Sequence, residues 1–285
     1  MTAFTRRAAL LGGAAATALA ACGQKASDTL TPASGPMAAK AVPPEGWESG
    51  LTIASRIASG ETTSLAEVEK AIARAEAVNG DLNAIATASF DQARAAAVHP
   101  APGTFSGVPT FIKDLLDWEG TQTLWGSRAF VGNVSQKDSP FATAWRNAGV
   151  VSLGKSTTPE MGLTSTTEPL VTGATHNPCG SIRIPASTCG VFGLKPSRGR
   201  LDARNAGNAP PVDISVNHAV TITVQDSIEL FRVAEKNDGA YTPLGEISTL
   251  NRPLRIGFAP ESISGTHVSP ETTAALEDVA QLCRE

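Results

Sequence analysis

Apolar positions recur along the chain with two periods, and the switches between them mark its elements. In "SLAEVEKAIARAEAVN", starting at Ser64, the residues Leu65, Val68, Ile72, Ala75 and Ala77 form a mostly apolar helical stripe. Ser64 is placed to cap this helix, Glu67 follows three residues later, and Asn79-Gly80 ends it. "FDQARAAAV" predicts a second helix. "GVPTFIKDLLDW" then changes to strand character: Val108, Phe111 and Ile112 are apolar, and Lys113-Asp114 stand at the strand's end. "PFATAWRNAG" predicts a helix closed by Gly149, and "VVSLGK" a short buried strand. Farther on, "CGVFGLKPS", "AVTITVQD" and "PLRIGFAP" predict strands, while "SIELFRVAEK" and the capped, amphipathic "SPETTAALEDVAQLCRE" predict helices. Short strands alternating with helices predict an α/β fold, a mixed and mainly buried sheet covered by helices on both faces.

The first 46 residues lack this patterning. Arg6 and Arg7, a short Ala/Leu/Gly run and then Cys22 read as an export signal over residues 1–21, too short to span a bilayer comfortably. The arginine pair resembles a twin-arginine signal, and Leu19-Ala20-Ala21-Cys22 resembles a bacterial lipobox. The expectation is a chain lipidated at Cys22 and held at the periplasmic or cell-envelope membrane by that anchor alone. Residues 22–46, rich in Ala, Ser, Pro and Thr, read as a flexible tether, and the folded domain as 47–285. With 285 residues, 41% of them hydrophobic, the chain suffices for a substantial core. A net charge of −4 without a basic cluster, and only 5% aromatics, argue against a nucleic-acid partner. Cys179, Cys189 and Cys283 show no metal-ligand spacing and read as buried, unpaired thiols.

Three motifs compete for the chemistry. "GVVSLGKS", Gly149 to Ser156, satisfies the Walker A pattern, but its strand-like residues lie between the glycines and Pro159 falls where the phosphate-binding helix should begin. It is read as a strand. A Ser/His hydrolase could draw on His176 or His218, although no G-x-S-x-G elbow surrounds any serine. The third option is a lysine base: Lys113 follows an apolar strand, where burial would favour the neutral amine that accepts a proton.

"GVPTFIKDLLDWEGTQTLWGSRAF", "GKSTTPEMGLTSTTEPLVTGATHNP", "GSIRIPASTCGVFGLKPSRGRL" and "HAVTITVQDS", in this order, closely resemble the amidase signature family. The resemblance covers nearly all of the chain from Trp47 onward. It implies that Lys113 is the base, acting through a bridging Ser, and that Ser181 is the nucleophile. Ser181 would attack a small-molecule amide or ester, and water would release the acid from the acyl-enzyme. No metal or organic cofactor is implied. The family's substrates range from small aliphatic and aryl amides to peptide C-terminal amides and lipid amides.

The chain departs from the pattern in two places. Family members carry a Gly/Ser-rich stretch between "NP" and "GSIRIP" that holds the bridging Ser, a helix and a strand. Here "HNP" meets "SIRIP" through Cys179-Gly180 alone. Neither Ser165 nor Ser187 is assigned the bridging role, and Pro178 has no N–H for an oxyanion. Members also continue beyond the helix that ends at Glu285. Loss of a proton relay costs about 10²–10⁴ in rate, and loss of an oxyanion donor roughly 10²–10³. Three readings follow: a weakened amidase using Lys113 and Ser181, an inactive amidase-like remnant or binding module, and a Ser/His esterase.

Overall fold

The computed structural model describes residues 47–164, 166–176, 186, 191–197, 199–201, 216–247, 253–259, 265 and 267–284. Cys22, the tether up to Gly46, Cys179, Ser181 and Cys189 lie outside the described residues. Ala41–Arg255 form one compact unit, and Ile256–Glu285 belong to another. In the first, α1 spans Gly50–Ala58, α2 Ser64–Leu82, β1 Ile85–Ala88, α3 Phe90–Val98, β2 Pro109–Lys113, α4 Pro140–Asn147 and β3 Val151–Ser156. They are followed by β4 (Phe192–Gly193), β5 (Val220–Thr221) and α5 (Val224–Ala234). Short 3₁₀ turns occupy Arg128–Phe130 and Glu160–Gly162. The second unit contributes α6, Pro270–Leu282.

Strands β1, β3 and β2 form a sheet in that order, with β3 antiparallel to β1 and parallel to β2. Side-chain alternation sends the strands' apolar residues to two cores. Phe111, Val151 and Leu153 meet Val68 and Ile72 of α2 and Ala93 and Ala97 of α3. Val108, Ile112 and Val150 join Phe141, Ala142 and Trp145 of α4 with Leu230, Phe231 and Ala234 of α5. Helices therefore cover the sheet on both faces, as the pattern implies, and each face removes apolar surface from water at about 25 cal/mol per Å². The N-terminus of α1 is tied in by Asp226, whose carboxylate accepts Gly50 N–H at 3.2 Å and Leu51 N–H at 3.0 Å.

One irregularity in β3 decides what its end presents. Thr110 pairs with Ser152, but Ile112 pairs with Lys155, so β3 carries one extra residue. A bulge of this kind reverses side-chain phase. Leu153 stays on the α2–α3 face, and Lys155 turns to the face of Ile112. Gly154 makes the bulge feasible. Its φ is 133°, and a Cβ there would lie 2.2 Å from the Thr87 carbonyl oxygen.

Several local expectations shift. Thr63 caps α2, its hydroxyl accepting Ala66 N–H at 3.1 Å, because Ser64 is buried and donates to the Gly107 carbonyl at 3.0 Å. Glu67 receives Lys70 and the Thr62 hydroxyl, and Leu65 is exposed. Helix α2 runs past Gly80 to Leu82 because the left-handed residue is Asn83, at φ 49°. The Asn79 side chain accepts the N–H groups of Ala84 and Ile85 that follow. Strand character in "AVTITVQD" shrinks to two residues, since Thr223 caps α5 and starts it at Val224. Residues 253–259 form no strand; Leu254, Ile256 and Phe258 are exposed. Cys283 is exposed beyond α6 rather than buried.

Gly154→Ala is expected to destabilise the domain by about 2 kcal/mol or more, since the added methyl meets backbone and φ is unfavourable. Urea unfolding should show a lower midpoint with an unchanged slope.

Candidate active site

Lys113 is the last residue of β2 and is partnered in register by Ser156 of β3. It is half-buried, and burial pushes its pKa below that of an ordinary lysine. The chain turns at once, with Leu116 N–H donating to the Lys113 carbonyl at 3.0 Å. A lysine with a lowered pKa has a larger neutral fraction near neutrality, the form that a general base requires.

Asp114, wholly buried, organises the following loop. Its backbone N–H donates to Ser156 O at 3.1 Å, and its carbonyl accepts Trp125 N–H at 3.1 Å. Its carboxylate accepts Leu124 N–H at 3.0 Å and Gly126 N–H at 3.4 Å. Burial raises the Asp114 pKa, opposed by those N–H groups and by the charge of Lys155.

Lys155 is 0% exposed. Its ammonium donates to the Leu116 carbonyl and, at 3.0 Å, to the Thr123 hydroxyl. Thr123 Oγ1 lies 2.9 Å from Ser135 Oγ, which donates to Asp117 Oδ1 at 2.9 Å. Burial lowers the Lys155 pKa to about 8, while the negative charges of Asp114 and Asp117 act against the fall. Burial, expected of Lys113 after its apolar strand, is thus only partial there. Lys155 is more buried, and among the described residues the strand between two partners is β3. The phase reversal at Gly154 puts Lys155 under the loop, whereas Lys113 ends its strand at the loop's edge. The Walker-like "GVVSLGKS" is β3 with its preceding turn, and its lysine points into protein.

The Ser/His reading finds one described pair, and its geometry is structural. His218 Nε2 lies 2.8 Å from Ser227 Oγ, but Ser227 is wholly buried in α5 and out of reach of a substrate. The imidazole stands edge-on to Phe231, with ring centroids 6.1 Å apart. His176 is exposed, and its N–H donates to Leu82 O at 2.9 Å. Lys113 is thus described, while its expected partner Ser181 lies outside the described residues. Sequence reasoning missed Lys155 and Asp114 as the loop's anchors. The available signal was a lysine inside an otherwise apolar buried strand.

Fold and sequence together define the class. The model of the amidase family matches residues 66–180 and 179–285, and the chain belongs to this family, the amidase signature enzymes. It is 36% identical to the amidase AmiC of Mycobacterium tuberculosis H37Rv over 274 residues, 82% of this chain and 57% of AmiC. It is also 36% identical to the 6-aminohexanoate-cyclic-dimer hydrolase of Paenarthrobacter ureafaciens over 190 residues, covering 54% of this chain and 38% of that enzyme. A solved structure of 6-aminohexanoate cyclic dimer hydrolase with substrate superposes with a TM-score of 0.59 at 31% identity, over 73% of this chain and 50% of the other. The chain thus spans little more than half the length of AmiC.

His218 supplies a pH prediction. Burial, the larger influence, lowers its pKa to about 4, with the Ser227 hydrogen bond opposing. The native state then binds fewer protons than the unfolded state between about pH 4 and the ordinary histidine value near 6.5. Stability should therefore rise with pH through this window and fall on acidification, by a contribution on the order of 3 kcal/mol. Relative to His218→Gln, the wild type should show this extra acid sensitivity in chemical denaturation at stepped pH. Parallel pH profiles would contradict it.

Proposed function

We propose that the chain is an amidase signature hydrolase in which Lys113 is the base and Ser181 the nucleophile. It would act on a carboxylic amide or ester of a small molecule, with activity reduced by loss of the segment bearing the bridging Ser. The observation that carries this reading is Lys113 at the end of β2, desolvated and next to the loop-organising Asp114. Within the proposal, Ser181 attacks the carbonyl as its proton passes to Lys113. The acyl-enzyme is then released by water. Without the bridge, protonation of a leaving nitrogen is the step most impaired.

Two features of the comparisons support the deletion. The family-matched stretches meet at 179–180, where "HNP" joins "SIRIP". The AmiC alignment runs over 274 residues but uses 82% of 285, about 234, leaving about 40 alignment positions unmatched in this chain. The same features favour a second reading, a remnant that keeps the surface of an amidase without its chemistry.

Ester and amide hydrolysis separates the two readings. The weakened enzyme should cleave an activated ester slowly and an unactivated amide hardly at all. Lys113→Ala and Ser181→Ala should each abolish the ester activity, and His176→Ala should leave it unchanged. No hydrolysis in any of the four proteins supports the remnant. Amide turnover at ordinary enzyme rates, on the order of 1–10³ s⁻¹, would sink the proposed impairment.

We also propose export and lipidation at Cys22, motivated by the Arg6-Arg7 pair and Leu19-Ala20-Ala21-Cys22. Mass spectrometry of the mature protein should find a lipid-modified Cys22 at its N-terminus in the membrane fraction. A fully soluble mature chain beginning elsewhere would defeat this.

A further inference from the structure

We propose that Trp125 is a specificity-determining residue whose indole, with Phe130, forms a ledge beside the end of β2 for the aromatic part of an amide or ester substrate. The inference rests on the reading of Lys113 as the base, because the ledge matters only if chemistry occurs at that end of the strand.

The argument begins with backbone conformation. Trp125 and Met161 have φ of 53° and 52°, the left-handed region that large side chains rarely occupy. The two are joined, Met161 N–H donating to Trp125 O at 2.8 Å. Each is followed by a glycine, Gly126 and Gly162, also at positive φ. The strained positions are thus filled by the large side chains even though glycine is used next to each. Strain of this kind persists where surrounding structure over-determines it, and it clusters at ligand sites.

The over-determination is visible. The Asp114 carboxylate holds the N–H groups before and after Trp125, those of Leu124 and Gly126, and the Asp114 carbonyl holds Trp125 N–H. Gly126 presses on the next segment, where a Cβ would lie 2.7 Å from Thr158 O. Gly162 does the same to Leu115, two residues past Lys113, with a Cβ position 2.8 Å from its Cδ1. Asp114 is accordingly a positioning residue that aims Trp125.

What the frame presents is open. Trp125 is 36% exposed and Met161 39%, whereas Trp118 and Trp145 are buried in the core. The Phe130 ring lies 6.1 Å from the indole, tilted by 32°. Two neighbouring aromatic rings in a rigid frame favour a flat aromatic group over a saturated one of the same size, through ring–ring contacts. Because the backbone hydrogen bonds already hold the loop, little ordering opposes binding.

The test uses the full protein and two probes that differ only in ring saturation, acetanilide and N-cyclohexylacetamide. Ligand-observed NMR titration should show the wild type binding acetanilide roughly three- to tenfold more tightly. Trp125→Asn, a residue that tolerates this φ, should equalise the two probes, and Trp125→Phe should restore most of the preference. Should Trp125→Asn fail to fold, quenching of wild-type tryptophan fluorescence by acetanilide, lost in Trp125→Phe, supports the proposal. Equal binding of both probes by the wild type overturns it, as does an unchanged preference in folded Trp125→Asn. Ester hydrolysis by Lys113→Ala is read separately. An unchanged rate with aryl preference intact sinks the lysine base and leaves the ledge, while a lost rate without aryl preference sinks only the ledge.

Discussion

A lysine ammonium removed from water must be compensated, and Lys155 sets the terms for everything packed above β3. An uncompensated buried ion costs several kcal/mol even after relaxation. Here the charge is distributed along a directed chain of donors, from Lys155 to the Thr123 hydroxyl, on to Ser135 and finally to the Asp117 carboxylate. Each hydroxyl accepts from one side and donates to the other, so the chain has one orientation that satisfies all members. The Leu116 carbonyl accepts another hydrogen bond from the ammonium. Residues 114–135 are therefore organised around a cation beneath them as well as by the core contact of Trp118.

That arrangement gives two nearby lysines opposite characters. Lys155 is surrounded by acceptors and serves structure. Lys113 leaves the same sheet where cover is incomplete, so desolvation lowers its pKa without removing it from the surface. Asp114 links the two, since it follows Lys113 in the chain, senses the charge of Lys155 and fixes the backbone on both sides of Trp125. A change at Asp114 would accordingly disturb the loop, the burial of Lys155 and the surroundings of Lys113 together.

Periodicity and apolar runs revealed elements wherever burial followed the run of residue types. Helix α3, Phe90–Val98, coincides with "FDQARAAAV", and β2 and β3 lie where the apolar runs fall. Errors arose where a side chain, not the pattern, decided the boundary. Asn79 and Asn83 extended α2 past Gly80, and Thr223 claimed Val224 for a helix. "PLRIGFAP" has strand composition, but strand formation depends on partners that local sequence does not encode. For the site, Lys113 was legible as a lysine after an apolar strand. For Lys155 only its place in an apolar run was legible; the face it takes depends on the bulge at Gly154, and a bulge reverses facing without altering the run of residue types.

The pairing of β3 also fixes an order of events during synthesis. Both of its partners, β1 and β2, precede it in the chain, and β1 and β2 do not pair with each other. Among the described residues, these three strands are therefore unpaired when Lys113 leaves the ribosome and pair only about 40 residues later, at Ser156. At 5–20 residues per second that interval lasts some seconds, during which Phe111 and Ile112 belong to a strand without its neighbour. The nascent chain thus has a window of exposed strand edge written into its topology, and interventions that slow translation between these two positions would lengthen it.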